Sequence, residues 1–175
     1  MPSEQISVLV GQRFACVKIQ GRATFTTSLD FDSVLNRLRE RGCSYFVIEL
    51  SKCALMDSTF LGVLAGFGLK LSQANGSGGE GCVELRNANA RIADLMENIG
   101  VLHLFKTAQG ELESSETLEA ISLKCAPASR QEVTKACLEA HQTLCAINPD
   151  NVARFKDVTK FLAEDLARMT KPPAS

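Results

Sequence analysis

The sequence predicts an α/β domain followed by a C-terminal helical hairpin, and two patterns support this prediction. Over residues 5–124, short apolar runs typical of strands alternate with segments whose apolar residues recur at helical spacing. Beyond Pro127 only the helical spacing remains, in two segments separated by Asn-Pro-Asp at residues 148–150. We therefore place the α/β domain at residues 1–124 and the hairpin extension at residues 125–175.

The first part of the chain predicts two strands, a helix and a third strand. Apolar runs at residues 6–10 and 14–19 predict two strands joined by a turn. Hydroxyl side chains at residues 26–28 are cap candidates for a helix that ends at Gly42. The run at residues 45–50 is almost continuously apolar, which is typical of a strand covered on both faces.

A second helix follows the third strand and contains Gly62, Gly66 and Gly68. Each glycine costs a helix about 1 kcal/mol relative to alanine, so we expect another element to approach this helix closely. We expect His103 to be a partly buried structural histidine. The remaining predicted elements are a flexible loop at residues 75–81, a strand at 82–85, a helix that ends at Gly100, a short strand at 102–105 and a helix over 115–123.

Composition excludes several classes of function. The chain has 175 residues, of which 45% are hydrophobic and 22% charged, as in a soluble globular protein. Its net charge is −1 and no block of Lys or Arg occurs, so we expect neither nucleic-acid nor membrane binding. The N-terminus has no secretory signal pattern and no apolar run is long enough to span a membrane, which predicts a cytoplasmic protein.

The seven cysteines are predicted to be reduced thiols. No C-x-x-C pair occurs, and neither His103 nor His141 lies near a cysteine at the spacing of metal ligands. We therefore expect no metal and no cofactor. The same observations argue against an enzyme, because the chain offers no motif that pairs a nucleophile with a base.

Residues 56–64 are the most informative stretch of the chain. They read Met-Asp-Ser-Thr-Phe-Leu-Gly-Val-Leu, so a helix begins at a hydroxyl residue directly after Asp57. One interpretation is an ordinary N-cap, since Asp, Ser and Thr are the usual residues there. The other is that Ser58 accepts a phosphate, because unpaired N–H groups and the helix dipole stabilise negative charge at this position.

This stretch, together with Val-Ile-Glu-Leu at residues 47–50, resembles the signature of STAS domains, the fold of bacterial anti-sigma factor antagonists. The resemblance covers roughly the first 120 residues. It implies a small mixed β-sheet with helices mainly on one face. Supporting features are Gly21 before the first helix and the segment 92–100 followed by Leu102 and Phe105.

The resemblance implies a phosphorylation switch at Ser58, with Thr59 as the second choice of acceptor. In the family, the unphosphorylated protein binds an anti-sigma factor that is also a Ser/Thr kinase of the HATPase type, which frees a sigma factor for transcription. A PP2C-type phosphatase restores the bare serine. The partner-binding residues implied here are Thr24, Asp57, Ser58, Thr59, Phe60, Leu61 and Leu64.

Two residues depart from the family pattern. Phe60 stands where the family commonly has glycine, so we expect a bulkier apolar contact surface formed with Leu61 and Leu64. Ala23 replaces an acidic residue that the family uses in partner contacts. An alternative is therefore a constitutive binding module without phosphorylation, such as an accessory subunit of a transport ATPase or a signalling scaffold.

The C-terminal hairpin is predicted from two amphipathic stripes. Ser129 and Glu132 form a capping box that begins the first helix. About 40 residues cannot bury both stripes alone, so the hairpin must dock on the α/β domain, on a partner or on a second copy, which would give a homodimer. The stripes are Val133, Ala136, Cys137, Ala140, Leu144 and Ile147, and then Val152, Phe155, Val158, Leu162, Leu166 and Met169.

Overall fold

The described residues form a six-stranded mixed sheet. The structure is a computed structural model and describes residues 5–74 and 81–171. Across the sheet the strand order is β5-β4-β3-β2-β1-β6, in which β2 to β5 are parallel neighbours and β1 is antiparallel to β2 and β6. In chain order the strands are β1 (Ile6–Val10), β2 (Phe14–Ala23), β3 (Tyr45–Met56), β4 (Cys82–Arg86), β5 (Lys106–Ala108) and β6 (Glu119–Ile121).

Five α-helices complete the described part of the chain: α1 (Phe25–Glu40), α2 (Ser58–Ala74), α3 (Ala90–Ile99), α4 (Arg130–Ile147) and α5 (Asp150–Thr170). The first three each join two neighbouring parallel strands, and right-handed crossovers of this kind place their helices on one face of the sheet. The main core lies between that face and these helices. The predicted mixed sheet with helices mainly on one face is therefore confirmed. No described helix is both long and apolar enough to cross a membrane.

Several predicted boundaries differ from the structure. The cap of α1 is Thr24 rather than residues 26–28, because β2 continues to Ala23 beside a lengthened β3. Part of the glycine-rich loop predicted at 75–81 lies outside the described residues, as do residues 1–4 and 172–175. The division of the chain at residues 124 and 125 stays a prediction.

Two elements predicted after α3 are wrong. Residues Leu102–Leu104 form a 3-10 helix instead of a strand, and this turn leaves His103 exposed rather than partly buried. The helix predicted over 115–123 is replaced by an irregular segment and β6, which pairs with β1. The reason is long-range: the free edge of β1 offers unpaired backbone groups, and pairing them outweighs the local helical pattern.

The hairpin docks within the chain on the α/β domain, which was one of the three predicted alternatives. Helix α4 packs against α2 and α1, and α5 packs against α4. The capping box is confirmed, because Ser129 Oγ accepts from the Glu132 N–H at 3.1 Å and Glu132 Oε2 accepts from the Ser129 N–H at 2.7 Å. Association of two copies through the hairpin stays a prediction.

The apolar stripe predicted for α5 is wrong at two positions. Val152 and Val158 are exposed, and Asn151 and Phe155 are the buried residues of this helix. For Val152 the cause is one hydrogen-bonded residue, because the Asn151 amide donates to Ile99 O and Leu144 O, both at 2.9 Å. This places Asn151 on the inner face and turns Val152, one position further, outward.

Candidate functional site

Asp57 lies between β3 and α2 and caps the N-termini of two helices. Its Oδ1 accepts a hydrogen bond from the Phe60 N–H, and its Oδ2 accepts one from the Phe25 N–H, each at 2.8 Å. The main chain of Asp57 is also bound on both sides, with its N–H donating to Ala23 O and its carbonyl accepting from Leu61 N–H. One carboxylate therefore joins the starts of α1 and α2, where helix dipoles favour negative charge.

Ser58 is the first residue of α2, and its hydroxyl is bound to the hairpin. The distance from Ser58 Oγ to His141 Nε2 is 2.9 Å, and His141 Nδ1 lies 2.7 Å from Cys137 O. A carbonyl oxygen can only accept, so Nδ1 carries a proton, and in the neutral ring Nε2 is an acceptor. The hydroxyl of Ser58 therefore donates a hydrogen bond to Nε2 of His141, a buried residue of α4.

The expected exposed apolar surface after Ser58 is wrong. Phe60, Leu61 and Leu64 are fully buried, and Phe60 stacks on Phe31 with their ring centroids 4.4 Å apart. These side chains serve the core because the helical period directs them at the sheet and at α1. The bulk of Phe60, where the family commonly has glycine, therefore fills the interior and does not enlarge a contact surface.

Thr59 and Thr24 occupy different surroundings. Thr59 is 6% exposed and packs beside α4, where burial raises the pKa of the Cys137 thiol. Thr24 is half-buried at the start of α1, and its Oγ1 lies 2.8 Å from Thr26 Oγ1. Of the two predicted acceptor hydroxyls, the one on Ser58 is the less buried.

Gly62 marks a close approach of two backbones. A Cβ atom placed on Gly62 would lie 2.5 Å from Ala140 O and 2.7 Å from Ala140 Cβ. One turn further along α2, a Cβ on Gly66 would meet only Thr143 Cγ2, at an ordinary 3.5 Å. The predicted close approach to this helix is therefore confirmed at Gly62, and the approaching element is α4.

Two residues of this site were missed by sequence reasoning. Phe25 is 48% exposed at the first position of α1, directly beside Asp57. His141 lies 83 positions from Ser58 along the chain. Only the apolar character of Phe25 next to a cap could have drawn attention to it, and no local pattern links His141 to Ser58. Ala23, the position where the family has an acidic residue, is fully buried.

Ser58 and His141 are as close as the nucleophile and the general base of a catalytic pair. His141 is 4% exposed, however, and its ring packs edge-on against Phe155 with centroids 4.9 Å apart. The bond therefore lies within a helix interface and holds the hydroxyl there.

Among the described residues, no group of three or more His, Cys, Asp or Glu side chains is placed to hold a metal ion. All seven cysteines are free thiols, and burial raises the pKa of Cys16 to about 11.

Known proteins resemble the α/β part of this chain. The family model described as the STAS domain matches residues 5–115, and the hairpin lies outside this match. A crystal structure from Thermotoga maritima, described as a candidate anti-sigma factor antagonist, is 14% identical, covers 60% of this chain and 86% of that chain, and has a TM-score of 0.53. This similarity shows a shared fold.

Two structures of the anti-sigma factor antagonist SpoIIAA are also similar. The unphosphorylated form is 12% identical and covers 61% of this chain and 89% of that chain, with a TM-score of 0.48. The phosphorylated form, from Bacillus, is 12% identical and covers 59% of this chain and 90% of that chain, also with a TM-score of 0.48. No curated protein matches the chain in sequence.

Proposed function

Because the chain belongs to the STAS domain family, we propose that it is an anti-sigma factor antagonist controlled by phosphorylation of Ser58. In this proposal the unphosphorylated chain binds an anti-sigma factor that is also a Ser/Thr kinase of the HATPase type, and so frees a sigma factor for transcription. Phosphorylation of Ser58 ends that binding, and a PP2C-type phosphatase restores it. Thr59 is the second choice of acceptor.

The position of Ser58 is the observation that carries the proposal. It is the first residue of α2 and directly follows the Asp57 cap, so its side chain lies at a helix N-terminus. A phosphate there gains from the helix dipole and from nearby N–H groups. The Asp57 carboxylate, held at the same place, opposes it by charge repulsion. This balance favours a phosphate that can be both added and removed.

Burial of the apolar residues of α2 changes the surface that we propose for the partner. With Phe60, Leu61 and Leu64 in the interior, the accessible part of the site consists of the start of α1 and of the half-buried Asp57 and Ser58. We propose that a partner contacts Thr24, Phe25, Asp57 and Ser58. An unpaired charge buried in such an interface costs about 3–5 kcal/mol, which weakens binding roughly a hundred- to several-thousand-fold.

A second candidate function is a constitutive protein-binding module. The observation that favours it is the hydrogen bond from Ser58 to His141, since a hydroxyl held in an interface within the chain is a poor kinase substrate. In that case the chain would bind a partner, such as a transport ATPase subunit or a signalling scaffold, through another surface, and a Ser58→Glu variant would bind it as well as the unaltered chain.

Mass spectrometry of the protein purified from its native host separates the two candidates. Trypsin releases residues 53–70 as one peptide, which contains both Ser58 and Thr59. We expect a phosphate on Ser58, in a fraction that changes with growth conditions, and its loss in a Ser58→Ala strain. Full coverage of this peptide without phosphate under every condition would refute the switch and favour the constitutive module.

A further inference from the structure

Helix α4 covers the face of α2 that begins at Ser58. At one end of the contact, the Ser58 hydroxyl donates a hydrogen bond to His141. One turn further on, the backbone of α4 at Ala140 lies against Gly62 with no room for a Cβ atom between them. Two helices cannot approach more closely than such a contact allows, so no other protein can touch this face while α4 is in place.

The cover is attached along α2 and α1, at the end of α3 and through the segment that joins it to β6. Its connection to β6 is the irregular and mostly exposed segment 122–129, in which Lys124 O accepts a hydrogen bond from Arg37 at 2.6 Å, so the residues after Lys124 are where the hairpin can turn away. Beyond the contact with α2, the hairpin turn is held at the end of α3, where Asn151 donates to Ile99 O and Arg154 donates to Asn98 O, each at 2.9 Å.

The hairpin also buries apolar side chains of its own. Leu144 is fully buried in the main core and Phe155 is 8% exposed there, while Cys137, Leu138 and Ala140 are buried on α4. Most of the core is built from β1–β4 and α1–α3 and does not require the hairpin. Detaching the hairpin breaks its own contacts and leaves the rest of the core in place, so it costs less than global unfolding, and the α/β domain can stay folded while the hairpin is open.

From these contacts we infer that the α4–α5 hairpin is a cover within the chain that controls access to Ser58. A kinase completes its reaction at Ser58 only when the hairpin is released, because the half-buried hydroxyl is otherwise bound to His141, and a phosphate on Ser58 keeps the hairpin released. The inference rests on the proposed function, because it concerns the regulation of the same residue. It adds an open state of the chain, in which the hairpin is detached and the N-terminal turn of α2 is uncovered. The proposed function alone does not require this state.

The phosphate holds the cover open because of space. The kinase step transfers the γ-phosphoryl group of ATP to Ser58 Oγ, and it releases ADP and the hydroxyl proton. The new group has to occupy the position where His141 Nε2 now lies, 2.9 Å from Oγ. A phosphate group does not fit within that distance, so the docked state gains a steric conflict. The equilibrium therefore shifts to the open state.

A pair of glycine substitutions tests the cover in the full chain. Gly62→Ala places a methyl group against Ala140, while Gly66→Ala makes the same change one turn along α2, where there is room. Alanine favours the helix over glycine at both positions, so α2 itself is not weakened. Hydrogen–deuterium exchange should be about tenfold faster or more in peptides of α4 and α5 for Gly62→Ala, and within about twofold of the unaltered chain for Gly66→Ala. Peptides of β2 and β3 should not change.

Phosphorylation is measured on the same three chains with ATP and a lysate of the native host as the kinase source. We expect the phosphate on peptide 53–70 to appear several times faster in Gly62→Ala than in the other two chains. If hydrogen–deuterium exchange shows that the hairpin of Gly62→Ala is open but all three chains are phosphorylated at the same rate, the hairpin does not control access to Ser58. The proposed function would then still stand. Phosphate in none of them would overturn both.

A chain with phosphoserine incorporated at position 58 during synthesis tests the second half of the inference. Its α4 peptides should exchange as fast as those of Gly62→Ala, and protection equal to the unmodified chain would overturn the coupling. If Gly62→Ala does not fold, the same clash is made from the other side by Ala140→Leu, with Ala146→Leu as the control at an exposed position of α4. Unchanged exchange in the folded Ala140→Leu chain would also overturn the cover.

Discussion

Replacing Asp57 by alanine removes a single carboxylate that caps two helices. In the folded chain its two oxygens accept from the N–H groups of Phe60 and Phe25, each at 2.8 Å. Alanine leaves both donors without this partner at the starts of α2 and α1. The perturbation is local, because Asp57 lies outside the core and its main-chain hydrogen bonds to Ala23 and Leu61 do not require the side chain.

The magnitude follows from the two contacts. Loss of an N-cap side chain costs typically about 1 kcal/mol, and loss of a carboxylate at a second helix start costs about as much again. We expect Asp57→Ala to lower the free energy of unfolding by about 2 kcal/mol, which for a chain of this size lowers Tm by about 4–8 °C. Asp57→Asn offers one acceptor oxygen for two N–H groups, so we expect about half of that loss.

Urea unfolding at pH 7, followed by circular dichroism at 222 nm, measures these differences. Asp94→Ala is the matched control, because Asp94 is an exposed carboxylate in the middle of α3, and its removal should change stability by less than about 0.5 kcal/mol. A loss below about 0.5 kcal/mol for Asp57→Ala, or equal losses for the Ala and Asn variants, would refute the double-cap reasoning.

Three further predictions concern the scaffold. In urea unfolding, Gly100→Ala should lower the free energy of unfolding by at least about 1 kcal/mol more than Gly21→Ala does. Both glycines have φ near +80°, but only a Cβ on Gly100 meets the Asn148 side chain, and equal losses would contradict this. Burial raises the pKa of Asp32 above 3.8, so the folded state holds this proton more tightly, and the stability it contributes is lost as pH rises through the folded pKa. Asp32→Asn should therefore stabilise the chain more at pH 7 than at pH 3, and a pH-independent difference would count against it. Iodoacetamide at pH 8 should label the buried Cys16 thiol only after unfolding, and labelling of the native chain, read by mass spectrometry, would refute its burial.

Local patterns were sufficient for most of the α/β domain. The apolar runs that form β1 and β2 and the hydroxyl-rich starts of α2 and α4 were readable because strand period, helix period and caps act over a few residues. The stretch at residues 56–64 also located the turn at which Asp57 joins two helices. Its apolar residues were assigned to the wrong side, since periodicity says that Phe60 and Leu64 share a face but not whether that face meets the core or solvent.

What the sequence could not supply depends on residues far apart in the chain. β6 forms because β1 has a free edge more than a hundred positions earlier, so its own helical pattern gave the wrong answer. The partner of Ser58 is likewise a histidine 83 positions away, on a helix whose docking site was left open among three surfaces. Such contacts are set by how preformed elements pack, and no short window of sequence contains them.

The hairpin follows the domain that it covers, and this order has a consequence during synthesis. A ribosome adds about 5–20 residues per second, and N-terminal units fold first, so the roughly 40 residues of α4 and α5 emerge over about 2–8 s. During those seconds the sheet and α2 can already be assembled while the hairpin has not yet docked on them. In every newly translated molecule Ser58 would then be uncovered at first, and would become shielded only when α4 and α5 dock.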